Sequence, residues 1–78
     1  MIMRIVYPDK PAVEYSCDSV HLPLEDGDMG VRKGHMQCIA ALSKGRVRAL
    51  NNEAEVFSTD ITRGFAQISE DIISLCIR

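Results

Sequence analysis

The fold is decided by residues 18–45, which read DSVHLPLEDGDMGVRKGHMQCIAALSKG. In this stretch Val20 and Leu22 alternate with His21, and an acidic turn over residues 25–28 follows at once. A spacing of two between apolar residues, ended by residues that suit a tight turn, is typical of a short β-strand with one face in a core. We therefore expect strands rather than a helix around Val20, Leu22 and the acidic turn.

The same alternation recurs on both sides of this stretch. It is found in residues 4–7, 13–18, 46–49 and 72–77, with turn-forming residues between the runs. The Asn51-Asn52 pair, between residues 46–50 and 53–57, predicts a tight hairpin. Many short strands separated by turns predict a single all-β domain over residues 1–78, built as a sandwich or a barrel.

Residues 35–42 fit this pattern less well. Their sequence, HMQCIAAL, would also support a helix of two turns on propensity alone. Gly34 and Gly45 lie on either side of the run, and neither decides between helix and strand, because glycine suits a helix end and a β-turn equally well. Both readings stay open from the sequence.

The overall composition argues against several classes of protein. Nine Lys and Arg oppose eleven Asp and Glu, for a formal net charge of −2, whereas nucleic-acid binders usually carry a basic excess. No apolar run approaches the roughly 18 residues of a membrane span, so direct membrane insertion is not expected. Cys17, Cys38 and Cys76 have neither metal-site nor disulfide-framework spacing, and we expect reduced, buried thiols.

No catalytic constellation is visible in the sequence. Neither His21 nor His35 has the surroundings of a Cys–His nucleophile, and no phosphate-binding loop is present, so we expect no active site, metal or cofactor. Glu25, Asp26 and Asp28 lack the ligand ladder of a calcium loop. They predict either a solvated acidic turn or a docking surface for a basic partner.

Basic residues concentrate in a short part of the chain. Five of the nine lie within residues 32–48, and no aromatic side chain stands among them. The platform on which single-stranded nucleic acids stack is therefore missing. A solvated face is the first interpretation of this cluster, and an electrostatic protein interface is the second.

Residues 18–45 resemble the first half of the epsilon subunit of F-type ATP synthases. That family typically runs Asp-Ser-Val-x-Leu-Pro, an acidic Glu-Gly-Glu-x-Gly turn, Pro-Gly-His, and an apolar strand ending in Leu-x-Pro-Gly. Residues 4–10, 64–68 and 72–77 resemble its opening strand, a Gly-Gly-Phe strand and its closing strand. Arg32-Lys33 replace the usual apolar residue and proline, so we expect the 31–38 loop to depart from the family shape.

The resemblance implies a fold and a function. The fold would be an all-β, two-sheet sandwich, a flattened barrel of about ten short strands, and the family's C-terminal helical hairpin is not expected within these 78 residues. The function would be that of a non-catalytic rotor subunit. It would bridge the gamma subunit and the c-ring in the central stalk, coupling ion transport to ATP synthesis at the cytoplasmic face of the bacterial inner membrane.

The resemblance also assigns contact residues. Asp28 matches the acidic position that faces the c-ring, with Glu25 and Asp26 in the same turn. The gamma-facing positions are matched by three residues, Tyr7, His35 and Ala40.

A second function remains possible from the sequence: a stand-alone β-barrel that binds a small ligand. Such a module needs a concave pocket with aromatic and polar lining. The chain has only four aromatic residues to supply one, Tyr7, Tyr15, Phe57 and Phe65.

Overall fold

The computed structural model describes residues 1–34 and 37–78. These residues form nine strands and no helix. In chain order the strands are β1 (Ile2–Val6), β2 (Val13–Ser16), β3 (Ser19–Leu24), β4 (Gly27–Arg32), β5 (Cys38–Leu42), β6 (Gly45–Asn51), β7 (Ala54–Ile61), β8 (Gly64–Ile68) and β9 (Ile72–Ile77). The expected all-β fold is confirmed, and Cys38–Leu42 is a strand rather than part of a helix.

The strands make two sheets that face each other. One sheet has five strands in the order β2-β1-β9-β8-β5, and the other has four in the order β4-β3-β6-β7. All neighbours are antiparallel except the first and last strands of the chain, β1 and β9, which pair in parallel from Ile2↔Ile72 to Val6↔Cys76. The fold is thus the two-sheet β-sandwich that the sequence predicts.

The core lies between the two sheets and comes from alternate residues of their strands. Met3, Ile5, Ile73 and Leu75 are fully buried at the centre of the five-stranded sheet. The opposite sheet supplies its own fully buried set, Val20, Leu22, Val31, Val47 and Ala49. Removing these side chains from water is the main favourable term in the folding of so small a domain.

One side of the sandwich is closed by an aromatic contact. The rings of Tyr15 in β2 and Phe57 in β7 lie 4.8 Å apart between centroids and are tilted by 34°. Because β2 and β7 are edge strands of different sheets, this contact joins the two sheets where no backbone pairing can.

The β6–β7 hairpin differs from its predicted position by one residue. The turn residues are Asn52 and Glu53, both with positive φ (53° and 67°), as a type I′ turn requires, rather than Asn51 and Asn52. The Asn52 N–H donates to Oδ2 of Asp18 at 2.9 Å, which fixes the turn against the start of β3. A register shift between Ala49 and Leu50 leaves one extra residue in β7. This extra residue accommodates the one-residue difference in the position of the turn.

Pro23 lies at the point where β3 separates from β6. The β3–β6 pairing runs only from Ser19 to His21, so the missing N–H of Pro23 leaves no gap in that ladder. Its carbonyl accepts a hydrogen bond from the Ser43 N–H at 2.9 Å. A β-carbon on Gly45 would come within 2.6 Å of the proline ring, so only glycine fits there.

The expectation of buried thiols is confirmed only for Cys17. Cys38 and Cys76 are exposed. Cys38 lies at the start of an edge strand, and Cys76 points away from the core because its neighbours Leu75 and Ile77 point into it.

Gly64 is a position where we expect even one methyl group to be costly. A β-carbon there would collide with the carbonyl oxygen of Cys76 and would lie 3.0 Å from the Ile77 side chain. We predict that Gly64→Ala lowers the free energy of unfolding by about 1–3 kcal/mol, measured by urea denaturation.

The matched control is Gly30→Ala in β4. Its added methyl group would meet only the His21 ring, at 3.8 Å, which is an ordinary contact distance. We expect a change below about 1 kcal/mol, the range of glycine effects in strands. Equal effects of the two substitutions would contradict the close approach at Gly64.

Candidate protein-binding surfaces

The acidic turn lies at the tip of the β3–β4 hairpin. The register of the hairpin runs to Leu24↔Gly27, which leaves Glu25 and Asp26 as a two-residue turn. Gly27 has a φ of 134°, a value that favours glycine, so the tight reversal depends on this residue. Asp28 stands opposite Pro23 on the next rung.

The three carboxylates of this turn face solvent. Glu25, Asp26 and Asp28 are all exposed. Among the described residues none of them has a cation within ion-pair distance. Within the described part of the chain no cation offsets their mutual repulsion, and a basic partner surface would gain from meeting them.

A second surface is apolar and lies on the outer side of the five-stranded sheet. Val6, Cys76, Phe65 and Ala41 are cross-strand neighbours in one row over four strands. Ile39, in the adjoining row, is 74% exposed, and Phe65 is 62% exposed. We call these five residues the apolar face. Exposed apolar residues that lie next to one another are typical of a protein-contact surface.

The three predicted gamma-facing residues fall at different places. Tyr7 follows β1 and is half-buried, and this burial raises the pKa of its hydroxyl. The Lys10 ammonium lies 4.9 Å from the centre of the Tyr7 ring. Ala40 lies in β5, and two strands, β9 and β8, separate β5 from β1. It stands opposite the buried Ala66 and so points toward the core. His35 lies outside the described residues.

Sequence reasoning missed Ile39 and Phe65. The signal for Phe65 was present, because Ala66 and Ile68 fix the inward phase of β8 and place Phe65 on the other side. Ile39 could be placed only once β5 was known to be a strand, since a helix over residues 35–42 would have turned it differently.

The outer side of the four-stranded sheet is charged rather than apolar. Arg46 Nε lies 3.2 Å from Oδ1 of Asp60, and Arg48 Nε lies 3.0 Å from Oε1 of Glu55. Arg46 also donates to the Ser58 hydroxyl at 2.8 Å. The two arginines are therefore matched by neighbours in β7, which agrees with a solvated face rather than a basic docking site.

A groove beside the start of β3 does not resemble a small-molecule pocket. It encloses about 530 Å³ and is lined by Asp18, Ser19, His21, Arg32, Leu50, Asn52 and Glu53. Only Leu50 in this set is apolar, whereas ligand pockets are mostly apolar and aromatic. The ligand-binding alternative is not favoured.

A family comparison covers the whole chain. The β-sandwich domain of the ATP synthase delta/epsilon chain matches residues 1–78. The chain belongs to this family.

Two curated relatives of this chain are ATP synthase epsilon chains. That of Nostoc sp. is 27% identical over 78 residues, and the match covers 99% of this chain and 57% of the relative. That of Bacillus subtilis is 29% identical over 73 residues, covering 94% and 54%. The chain therefore spans a little over half the length of the curated relatives it matches.

Two solved structures share the fold of this chain. A chain of the Euglena gracilis mitochondrial ATP synthase, solved as an OSCP/F1/c-ring assembly, matches with a TM-score of 0.83 at 17% identity, over 96% of this chain and 48% of that one. A chain of the Tetrahymena thermophila central stalk and c-ring matches with a TM-score of 0.77 at 10% identity, over 97% and 61%. At these identities the likeness establishes the sandwich fold.

Two kinds of feature are absent from the described residues. Residues 1–34 and 37–78 contain no helix with the length and hydropathy needed to cross a membrane. Within the same ranges no three His, Cys, Asp or Glu side chains come together as a metal site would require.

The ion pair between Arg48 and Glu55 can be tested by titrating the Glu55 carboxyl. The hydrogen bond from Arg48 holds the pKa of the Glu55 carboxyl below its usual range. We predict that Arg48→Met returns this pKa toward the ordinary glutamate value, as followed by NMR titration of the side-chain carboxyl. Because the folded-state pKa is lowered, the pair stabilises the fold at neutral pH, and its contribution is lost as the pH falls through that pKa.

The control for this titration is Arg4→Met, which breaks only the 3.8 Å pair between Arg4 and Glu14. It should leave the titration of Glu55 unchanged. An ordinary glutamate pKa for Glu55 in the unsubstituted protein would rule the pairing out.

Proposed function

We propose that this chain is the β-sandwich part of a non-catalytic rotor subunit in the central stalk of an F-type ATP synthase. Family membership over all 78 residues carries the proposal. In this role the domain bridges the gamma subunit and the c-ring, so that rotation in the membrane motor is passed to the catalytic head. It works at the cytoplasmic face of a bacterial inner membrane, as a peripheral part of the complex.

The structure supports this role with two separate surfaces that partners could cover. The acidic turn is the tip of the β3–β4 hairpin in the four-stranded sheet, and the apolar face lies on the other sheet. A bridging subunit needs two such surfaces, held apart by a body that deforms little. A packed sandwich core meets that need because protein interiors are close-packed and resist compression.

We assign the acidic turn to the c-ring and the apolar face to the gamma subunit. The exposed carboxylates of Glu25, Asp26 and Asp28 would meet basic groups on the polar loops of the c-ring. Ile39 and Phe65 would supply the apolar centre of the gamma contact. Tyr7, which follows Val6 of the apolar face, would lie at its margin, whereas the Ala40 side chain points toward the core, away from this face.

For the c-ring contact, we predict that Asp28→Lys weakens binding of this chain to a purified c-ring about tenfold at low salt, because it reverses a charge in the docking turn. Surface plasmon resonance on c-ring in detergent would measure the change. Asp28 is exposed, so circular dichroism should show an unchanged fold.

Glu53→Lys is the matched control for Asp28→Lys. It makes the same charge change at an exposed residue of the β6–β7 turn. This turn follows the end of β6 that pairs with the start of β3, so it lies at the opposite end of the sheet from residues 25–26. It should leave c-ring affinity within about twofold, as expected for a charge outside the contact. Unchanged affinity in Asp28→Lys would remove the acidic turn from the c-ring contact.

For the gamma contact, we predict that Phe65→Ser weakens binding to the gamma subunit of the same organism by about thirtyfold or more. Truncating a central aromatic anchor typically costs about 2 kcal/mol or more of binding free energy. Isothermal titration calorimetry would measure the affinity, and the exposure of Phe65 keeps the effect on folding small.

Val56→Ser is the control for the gamma contact. Val56 is also exposed, at 40%, but lies in β7 of the other sheet. Its truncation should leave the affinity for gamma within about twofold. Equal losses in the two variants would show that gamma does not bind at the apolar face.

A further inference from the structure

The four-stranded sheet has an open edge along β4. Within the described part of the chain β4 pairs only with β3, in a hairpin whose last pair before the two-residue turn is Leu24↔Gly27. In such a hairpin this last pair exchanges both backbone hydrogen bonds, and alternate residues beyond it point their N–H and C=O groups outward. In β4 the outward residues are Asp28, Gly30 and Arg32. Pro23 agrees with this register, because it stands opposite Asp28 in a pair that needs no N–H.

Two opposite charges lie at this edge, on either side of a glycine. Asp28 and Arg32 are both exposed, and each stands two residues from Gly30 on the outer side of the sheet. Among the described residues neither side chain has an ion-pair partner. Their neighbours on β3 are Pro23 and Ser19, which are uncharged. Each charge is therefore available to a partner that lies along the edge.

The symmetry of this pattern fits a second copy of the same strand. If two β4 strands pair antiparallel about a two-fold axis at Gly30, Asp28 of each copy stands opposite Arg32 of the other. The positions with outward backbone groups then meet one another, so each such pair exchanges two N–H···O hydrogen bonds. Between them Met29 meets Val31 of the second copy, which adds an apolar pair on the inner side of the sheet. Opposite charges directly across an antiparallel pair are stabilising, so the charges favour this register.

The residues that follow β4 turn away from its open edge. Lys33 Nζ lies 3.8 Å from Oδ1 of Asp71, and the Gly34 N–H donates to the carbonyl oxygen of Glu70 at 3.4 Å. Glu70 and Asp71 connect β8 to β9 in the other sheet. The described residues of this connection therefore leave the β4 edge uncovered.

The other three sheet edges lack this self-complementary pattern. Strand β7 carries two acidic residues, Glu55 and Asp60, which would repel those of a second copy in antiparallel pairing. Strand β2 has one charged residue, Glu14, among four. Strand β5 has no charged residue, so nothing in it favours one register or one partner. Charges at a sheet edge normally prevent pairing, whereas those of β4 favour pairing with an identical strand.

We propose that the unassembled chain forms a two-fold dimer through antiparallel pairing of β4 with β4 of a second copy. The two acidic turns then lie at opposite ends of the paired strands, each next to Arg32 of the other copy. The dimer goes beyond the proposed function, because it concerns the chain before it joins the stalk. Asp28 belongs to both contacts, so the dimer and the proposed c-ring contact exclude each other. A single strand pair buries little surface, so we expect a weak dimer that forms at about 0.1–1 mM and separates on dilution.

Charge reversal at the two edge positions tests the pairing, with self-association measured by sedimentation velocity at low salt. Asp28→Arg alone and Arg32→Asp alone each place like charges opposite one another at both ends of the pair. Each should therefore weaken self-association about tenfold or more. An equimolar mixture of the two variants restores opposite charges at both ends, and it should associate within about threefold of the unsubstituted chain.

The controls are Asp9→Arg and Arg63→Asp, which make the same charge changes at exposed positions away from β4. Asp9 lies between β1 and β2, and Arg63 lies between β7 and β8. Each control variant should associate within about twofold of the unsubstituted chain, and mixing the two should bring no gain.

Hydrogen exchange followed by NMR locates the contact on the unsubstituted chain. The amides of Asp28, Gly30 and Arg32 should exchange about twofold to fivefold more slowly at about 1 mM than at about 0.05 mM, because each donates to the second copy only in the dimer. The outward amides of β7 should not change with concentration.

The inference is supported by rescue on mixing together with slower exchange of the three β4 amides. A chain that stays monomeric at about 1 mM overturns it. So does a mixture of Asp28→Arg and Arg32→Asp that associates no better than either variant alone, and so does self-association that leaves the β4 amides unprotected. None of these results bears on the proposed function, because neither gamma nor the c-ring takes part in the experiment.

Discussion

The structure depends on the parallel pairing of β1 with β9, the first and last strands of the chain. This pair stands in the middle of the five-stranded sheet, with β2 on one side and β8 and β5 on the other. It brings the fully buried Met3, Ile5, Ile73 and Leu75 side by side. Without it the sheet would separate into a hairpin and a three-stranded remnant, and the core would open. A pairing between chain ends closes the longest possible loop, so it should form late in folding.

The same pairing creates the apolar face. It places Val6 beside Cys76, and β8 then continues the row to Phe65 and Ala41. The acidic turn depends instead on a local hairpin, the register of which is set by the alternation in β3 and by Gly27. The two candidate surfaces therefore have different physical origins, one in a contact between chain ends and the other in a few neighbouring residues.

Local sequence patterns predicted the structural features that depend on interactions between nearby residues. The all-β class, the exposed acidic turn and most strand positions follow from alternation and turn residues, because side-chain direction alternates strictly along a strand. The observed turn, Asn52-Glu53, lies one residue later than the predicted Asn51-Asn52 pair. The Asp18 carboxylate, 34 positions away in sequence, accepts a hydrogen bond from the Asn52 N–H and fixes this position. Residues 38–42 could not be assigned from propensity, because their pairing with β8 outweighs a weak helical preference.

The sequence by itself determined the family, the sandwich class and the acidic hairpin. Each of these follows from residues that are close together in the sequence, such as the Asp18-Ser19-Val20 segment and the Glu25-Asp26-Gly27 turn. Only the tertiary structure decided which apolar residues stay outside the core. Ile39 looks like a core residue in the sequence, and its exposure follows from the inward phase of Ala40, which stands opposite the buried Ala66. That phase is set by packing between sheets, which depends on contacts far apart along the chain.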